Sequence, residues 1–414
     1  MEVIATGCIV APKGFQAGTT YCGIKTIRDS LDLGIIFSEF PATGAALFTT
    51  NQIYAAPVKL SRKVAQKGHI RAFVINSGNA NACTGEQGYK DAEEMVRIAG
   101  KCLKISEDEI LVASTGIIGR PLPMGKIAAG IKAAATSLGN TPTHGNDMAR
   151  AIMTTDTKQK DIAVRLKINN KDVIVGGITK GAGMIAPNMA TMLCFLTTDI
   201  SMPAPLLHEC LRNAVESSFN RITIDGHMST NDTIAIIANG ASGVNIISKG
   251  SELQVFQDGL NYVTSYLAKA IVKDGEGATK FIQIDVVGAR SRSDATKIAR
   301  SIADSPLVKT AINGEDPNWG RIVSAAGYAG VELNESTTNL YINDILIFAK
   351  GIPTSCDLDK LSTSMKNTDI NVRLELGLGD CADTIWTCDL SHEYVTINAE
   401  YHTYASVHSS SSHQ

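Results

Sequence analysis

The sequence predicts an α+β fold built as a layered sandwich. Two observations carry this. Segments rich in Val, Ile, Phe and Thr alternate with segments of helical periodicity along the whole 414-residue chain. Their order is mixed rather than a strict strand–helix–strand repeat, which disfavours a doubly wound parallel sheet. No heptad or short-period repeat interrupts the pattern, and no two-residue hairpin is evident early in the chain.

Taken in order, strands are predicted over 34–40, 45–50 and 72–75. A helix follows over 90–104, where Ala92, Met95, Val96, Ala99, Cys102 and Leu103 form one apolar stripe. A second helix covers 128–138. Strands over 162–168 and 173–179 lead into a Gly-rich loop, which runs into a β-like apolar segment at 192–196. A helix over 205–218 and strands over 233–238 and 281–287 follow. The GARSRSD segment at 288–294 marks a softer boundary. One domain is therefore expected over 1–287 and a second over 288–403. The polar Ser/His-rich segment at 404–414 is expected to be a disordered tail.

Composition excludes several function classes. The chain is 44% hydrophobic and 19% charged, with a formal net charge of -3. That balance offers no electrostatic reason to expect nucleic acid or an anionic membrane as partner. Its longest apolar runs fall far short of the roughly 20 residues of a membrane span. The first residues, with Glu2 and no basic region, resemble neither a signal nor a transit peptide. Nine cysteines occur without a C-x-x-C pair, and no two histidines stand at H-x-x-x-H spacing. Reduced thiols, a cytoplasmic location, no metal site and no resident cofactor are the expectation.

The segment KGAGMIAPNMATML at 180–193 is the most informative. A cut between Ala190 and Thr191 would give Thr191 a free α-amine beside its own hydroxyl, a nucleophile with a built-in base. On the residues alone, a threonine at the head of a buried strand is the more ordinary reading, since β-branching suits it there. Ser114-Thr115-Gly116 follows a short apolar run, and backbone N–H groups in such a turn can form an oxyanion hole; an ordinary turn ending a strand would look the same. IMTTDT at 152–157 offers hydroxyls to a polar substrate, or a capped helix end. Lys180 beside glycines suits a carboxylate, and Glu276 in DGEGATK suits an ammonium. Asp225, His227 and Ser229 suggest a serine-type triad, but five residues on one turn give the wrong geometry.

Together these segments resemble the ornithine acetyltransferases, also called glutamate N-acetyltransferases. The resemblance rests on NSGNANACTG at 76–85, ASTGIIGR at 113–120, IMTTDT at 152–157, KGAGMIAPNMATML at 180–193, SFNRITIDG at 218–226, STNDT at 229–233, DGEGATK at 274–280, SPLVKTAINGEDPNWGR at 305–321 and INAEYHT at 397–403. The resemblance implies an αββα sandwich similar to the N-terminal-nucleophile-like aminopeptidase DmpA, followed by a smaller α/β domain. It implies self-cleavage between Ala190 and Thr191 into an α chain, 1–190, and a β chain, 191–414, which pair and dimerise as an α2β2 heterotetramer. It implies Thr191 as nucleophile, Thr115 and Gly116 as the oxyanion hole, and Thr154, Lys180, Thr191, Glu276, Asn398 and Thr403 as substrate contacts. The activity implied is acetyl transfer from N2-acetyl-L-ornithine to L-glutamate through an acetyl-threonine, with acetyl-CoA as a possible further donor.

Two departures from the family pattern stand out. His227-Met228 replaces the acidic residue and threonine that usually follow the DG of SFNRITIDG, and His402 precedes Thr403 in a chain that runs on beyond it. A rival within the same fold is an aminopeptidase or amidase in which water accepts the acyl group. Glutamate-dependent release of ornithine separates the two.

Overall fold

The computed structural model describes residues 1–25, 30–186 and 192–400. Their contacts divide into two units: residues 1–220 with 227–271, and residues 221–226 with the chain from 272 onward.

The first unit carries the strands β1 (Glu2–Val3), β2 (Phe15–Thr20), β3 (Leu33–Ser38) and β4 (Thr43–Phe48), the helix α1 (Ala56–Ala65) and β5 (Ala72–Asn79). It continues through α2 (Gly85–Leu103), β6 (Ile110–Ile117), α3 (Met124–Thr136), α4 (Pro142–Ala151), β7 (Lys160–Ile168), β8 (Lys171–Lys180) and β9 (Leu193–Thr198). The helix α5 (Ala204–Glu216), the strand β10 (Thr233–Ala238) and most of α6 (Ser251–Lys273) complete it. Among the described residues these strands form two sheets, ordered β1-β7-β8-β9-β10-β4 and β2-β3-β5-β6.

The two sheets face one another. Phe73, Ile75, Leu111 and Ala113 of the smaller sheet share one buried cluster with Ile178, Leu193, Phe195 and Ile237 of the larger. The rings of Phe73 and Phe195 meet with centroids 5.0 Å apart. Alternate residues of the same strands, Ala72, Val74, Ile110 and Val112, point the other way and pack under Met95 and Ala99 of α2 and Ile127 and Ile131 of α3. On the outer face of the larger sheet, Val263 and Leu267 of α6 lie against Gly177, and α5 packs on β4. The order of layers is therefore helix, sheet, sheet, helix. Strands buried on both faces read as continuous apolar runs rather than as alternation, which is why these strands stand out in the sequence.

One local feature escapes the sequence reading. Strands β7 and β8 are joined by Asn169-Asn170, both at positive φ (51° and 60°). This is a two-residue hairpin turn of the primed kind, made by asparagines instead of the usual Asn-Gly.

The second unit holds β11 (Phe281–Ala289), α7 (Arg292–Ala303), α8 (Pro306–Asn313), α9 (Trp319–Gly327), β12 (Asn339–Ile342), β13 (Ile345–Ala349), β14 (Ile352–Pro353), α10 (Leu358–Met365), β15 (Asp369–Glu375), β16 (Cys381–Cys388) and α11 (His392–Glu400). Its sheet runs β14-β13-β12-β15-β11-β16. The division of the chain thus comes earlier than the expected 287/288. Residues 281–289 are not the last strand of the first domain. They sit inside the second unit's sheet, parallel to β15 and antiparallel to β16, over Ile298 and Ile302 of α7. The segment 221–226 also belongs here, through the Thr223 amide donating to the Trp386 carbonyl at 3.0 Å and an ion pair between Arg221 and Asp383. No helix among the described residues is long and apolar enough to cross a membrane.

Candidate active site

In the first unit, β6 delivers Thr115 and Gly116 to the end of a parallel pair. Thr115 lies opposite Ser77 of β5, and Gly116 opposite Gly78, where the register shifts. Gly116 has φ 129°, and a Cβ there would fall 2.4 Å from the Gly78 carbonyl carbon and 2.6 Å from the Asn79 nitrogen. Only glycine lets the two backbones approach this closely. Gly116→Ala is expected to distort the turn and lower the melting temperature. Thermal unfolding of the variant beside wild type checks this.

Buried side chains hold the same strand end. The Ser114 hydroxyl donates to Asn76 Oδ1 at 2.6 Å, and Asn231 Nδ2 donates to the carbonyls of Ser114 (2.8 Å) and Ala80 (2.6 Å). Asn231 thereby ties the STNDT segment to the candidate oxyanion turn across 117 residues of sequence.

Lys180 ends β8, 4% exposed, with Nζ 3.4 Å from Thr115 Oγ1. Asp156 binds the surrounding backbone and cations together. Its Oδ1 accepts from Lys160 Nζ at 2.7 Å and from the Gly181 amide at 2.7 Å, and its Oδ2 accepts from the Thr154 amide at 3.0 Å. Burial opposes its ionisation, but the Lys180 and Lys160 ammoniums and the Gly181 amide outweigh that and hold the carboxyl down at about 2. Lys25 lies in the same field. Burial, with some help from Lys180, lowers its ammonium to about 8 against the pull of Asp32 and Asp156, and its Nζ donates to the Leu31 carbonyl at 2.7 Å. Asp156 thus ties the Thr154 amide to the Lys180-Gly181 end of β8, where the Lys180 ammonium reaches Thr115.

The second unit holds a buried carboxylate of its own. Glu276, 9% exposed, accepts from Asn398 Nδ2 at 2.8 Å, and that same nitrogen donates to the Tyr394 carbonyl at 2.9 Å. A Cβ at Gly277, where φ is 67°, would meet the Tyr394 nitrogen at 2.6 Å and Ser391 Oγ at 2.7 Å. The DGEGATK turn therefore needs this glycine for α11 to close on it. Tyr394 donates its hydroxyl to Asp225 at 3.1 Å. Ala190, Thr191 and Thr403 lie outside the described residues. Among the described residues no cluster of His, Cys, Asp or Glu is arranged to hold a metal ion.

Asp156 as an anchor, Lys160 and Lys25 carry no signal of their role in the sequence, and Asn231 and Asp232 stand in the quoted STNDT segment without one. Asp156 stands inside a quoted motif only as a lone acid among threonines. Asn231 and Asp232 act through partners 40 to 151 residues away, which spacing along the chain does not reveal.

Comparison with known proteins follows from this geometry. A family model described as the ArgJ family matches residues 16–403. The arginine biosynthesis bifunctional protein ArgJ of Symbiobacterium thermophilum is 45% identical over 405 residues, covering 97% of this chain and 100% of its own. A glutamate N-acetyltransferase of Methanocaldococcus jannaschii is 47% identical over 417 residues, covering 97% of this chain and 100% of its own. Among solved structures, an arginine biosynthesis bifunctional protein from Bacillus halodurans aligns at 36% identity with a TM-score of 0.49, over 50% of this chain and 98% of that one. With the match running from residue 16 to 403 and relatives aligned along their whole length, this chain belongs to the ArgJ family.

Proposed function

We propose that the chain takes the acetyl group of N2-acetyl-L-ornithine, holds it as an ester on Thr191 and passes it to L-glutamate. The enzyme class, an N-acetyltransferase of arginine biosynthesis, follows from family membership. The finer reading rests chiefly on one observation: a buried Lys180 ammonium 3.4 Å from Thr115, beside a turn that only Gly116 can make.

In the proposed cycle, Thr191 Oγ attacks the acetyl carbonyl and its α-amine takes the proton. Thr115 and Gly116 stabilise the oxyanion. Ornithine departs, glutamate enters, and the steps reverse. Lys180 suits the α-carboxylate that both amino acids share. Glu276, oriented by Asn398, suits the side-chain ammonium that only ornithine carries. Glu276→Gln is accordingly expected to raise KM for N2-acetylornithine by about 10–100-fold, the value of a charge-assisted pair. The glutamate half-reaction is expected to change far less, as separate half-reaction kinetics would show.

Cleavage between Ala190 and Thr191 generates the amine, and the resulting chains assemble as α2β2. Acetyl-CoA serves as a second donor in this reading, in keeping with the word bifunctional in the relatives' names. Initial velocities at varied concentrations of both amino acids test the cycle. Parallel double-reciprocal lines are expected, and intersecting lines would sink it.

A further inference from the structure

The nine-residue helix α11 carries the nitrogen that holds Glu276, yet it buries none of its own side chains. Val395 on it is 61% exposed. A helix this short is marginal in water by itself, and most helices in proteins are held by a packed apolar face. No fully buried residue does this for α11. Polar contacts must fix where Asn398 stands.

Among the described residues, two side chains of α11 bond outside the helix. Asn398 reaches Glu276 Oε2 at 2.8 Å, and Tyr394, one turn earlier, donates its hydroxyl to Asp225 Oδ2 at 3.1 Å. Asn398 Nδ2 also donates to the Tyr394 carbonyl at 2.9 Å, which links the two attachments. Just before the helix, Ser391 Oγ donates to the Gly277 carbonyl at 2.6 Å, and Asp389 accepts from the Thr279 and Lys280 amides at 2.8 Å each. The chain therefore enters α11 fastened to the segment that carries Glu276. Of the side-chain bonds α11 makes outside itself, only that of Tyr394 leads to a separate support.

That support is itself clamped. Asp225 belongs to SFNRITIDG, a motif on which the proposed cycle makes no call. Residues 221–226 lie in the second unit, and their anchors lie there too. Arg221 forms its buried ion pair with Asp383 and also donates to Thr296 Oγ1 at 3.3 Å. Thr223 is fully buried; its amide donates to the Trp386 carbonyl at 3.0 Å and its hydroxyl to Asp304 Oδ1 at 2.6 Å. Ile222 and Ile224 are buried between these bonds. The segment is thus held at successive residues and presents one carboxylate to Tyr394, 169 residues further along the chain.

We propose that Asp225 and Tyr394 are positioning residues for recognition of the ornithine side chain. Asp225 accepts the Tyr394 hydroxyl, Tyr394 fixes the turn of α11 that bears Asn398, and Asn398 holds the Glu276 carboxylate in one orientation. Glu276 then meets the substrate ammonium without first giving up rotational freedom. What Asp225 supplies is an acceptor for the phenol, not a charge for the substrate. This rests on the reading of Glu276 as the partner of that ammonium.

The test measures ornithine release from N2-acetylornithine by the full enzyme, as wild type, Tyr394→Phe, Asp225→Ala, these two combined, and Asp225→Asn. Tyr394→Phe and Asp225→Ala are each expected to raise KM about tenfold, the value of one hydrogen bond to a charged group, with kcat changed less than about threefold. The double variant is expected to match either single one, because both remove the same bond. Asp225→Asn keeps an acceptor for the hydroxyl and is expected to bring KM back to within about threefold of wild type. Additive losses in the double variant, or Asp225→Asn as impaired as Asp225→Ala, would overturn the proposal, since the Asp225 charge would then act on its own account. A wild-type KM in Tyr394→Phe would overturn it as well. Should Asp225→Ala lower the folded fraction, Tyr394→Phe and Asp225→Asn decide at equal folded fraction. An unchanged KM in Glu276→Gln would count against the proposed function instead. Amide hydrogen exchange of α11 then decides: exchange at least ~10-fold faster in Tyr394→Phe upholds the anchoring, and wild-type exchange refutes it.

Discussion

Thr191→Ala is expected to yield a single uncut 414-residue chain with acetyl transfer reduced at least about 10⁴-fold. Both losses have one cause. In the proposed mechanism the side-chain hydroxyl is the attacking group on the Ala190 carbonyl and, after the cut, on the acetyl carbonyl. Removing a covalent nucleophile leaves only binding and oxyanion stabilisation, which act weakly without it. The fold should be little changed. The adjoining Met192 keeps its bonds to Asp232 and Thr233, and β9 keeps its ladders with β8 and β10. Circular dichroism and thermal unfolding should therefore match wild type while the gel and the assay do not. Two fragments from the alanine variant would refute the assignment.

Lys180→Met carries the second-largest expected effect. The ammonium is buried beside Thr115, and its field helps to hold Asp156 ionised. Methionine fills much of the same volume but supplies no charge for a substrate carboxylate. A loss of about 10²–10³-fold in kcat/KM is expected for both substrates, the magnitude of a desolvated charge pair losing one member. Stability should fall by about 1–3 kcal/mol, since Asp156 keeps Lys160 and the Gly181 amide but loses its other cation.

The pH dependence follows from the same pair. In the folded protein Asp156 sits at about 2, below the ordinary carboxylate value of about 3.9. Its contribution is therefore complete above the ordinary value and is lost as pH falls from about 4 towards 2. In Lys180→Met the folded value rises, so less stability is gained above pH 4 and less is lost on acidification. Urea midpoints measured between pH 2 and 6 would show a shallower acid slope for the variant.

Most strands and the principal helices were legible in the sequence, because strands sandwiched between layers appear as dense Val, Ile and Phe runs. Residues 72–75, 162–168 and 233–238 all fall inside observed strands. The domain boundary was misplaced because Phe281–Ala289 looks like any buried strand. Its partners, β15 and β16, come some ninety residues later in the chain. The Asn169-Asn170 hairpin was missed because asparagine reaches positive φ less recognisably than glycine.

The site divides in the same way. Thr115, Gly116, Lys180, Glu276 and Asn398 were named through their motifs. The structure gives them neighbours: Asn398 on Glu276, and Asp156 between Thr154 and the two lysines. Asp232 was not legible as a partner of Met192 because the bond between them spans 40 residues of sequence.

The central claim is that Thr191 becomes acetylated. Cleaved enzyme incubated with N2-acetylornithine alone, quenched in acid and examined by mass spectrometry tests it directly. The account predicts that the fragment beginning at Thr191 gains the mass of one acetyl group, carried on that threonine, and that glutamate removes it as N-acetylglutamate. An unmodified fragment under conditions that support full turnover, or an acetyl group on a different residue, would contradict it.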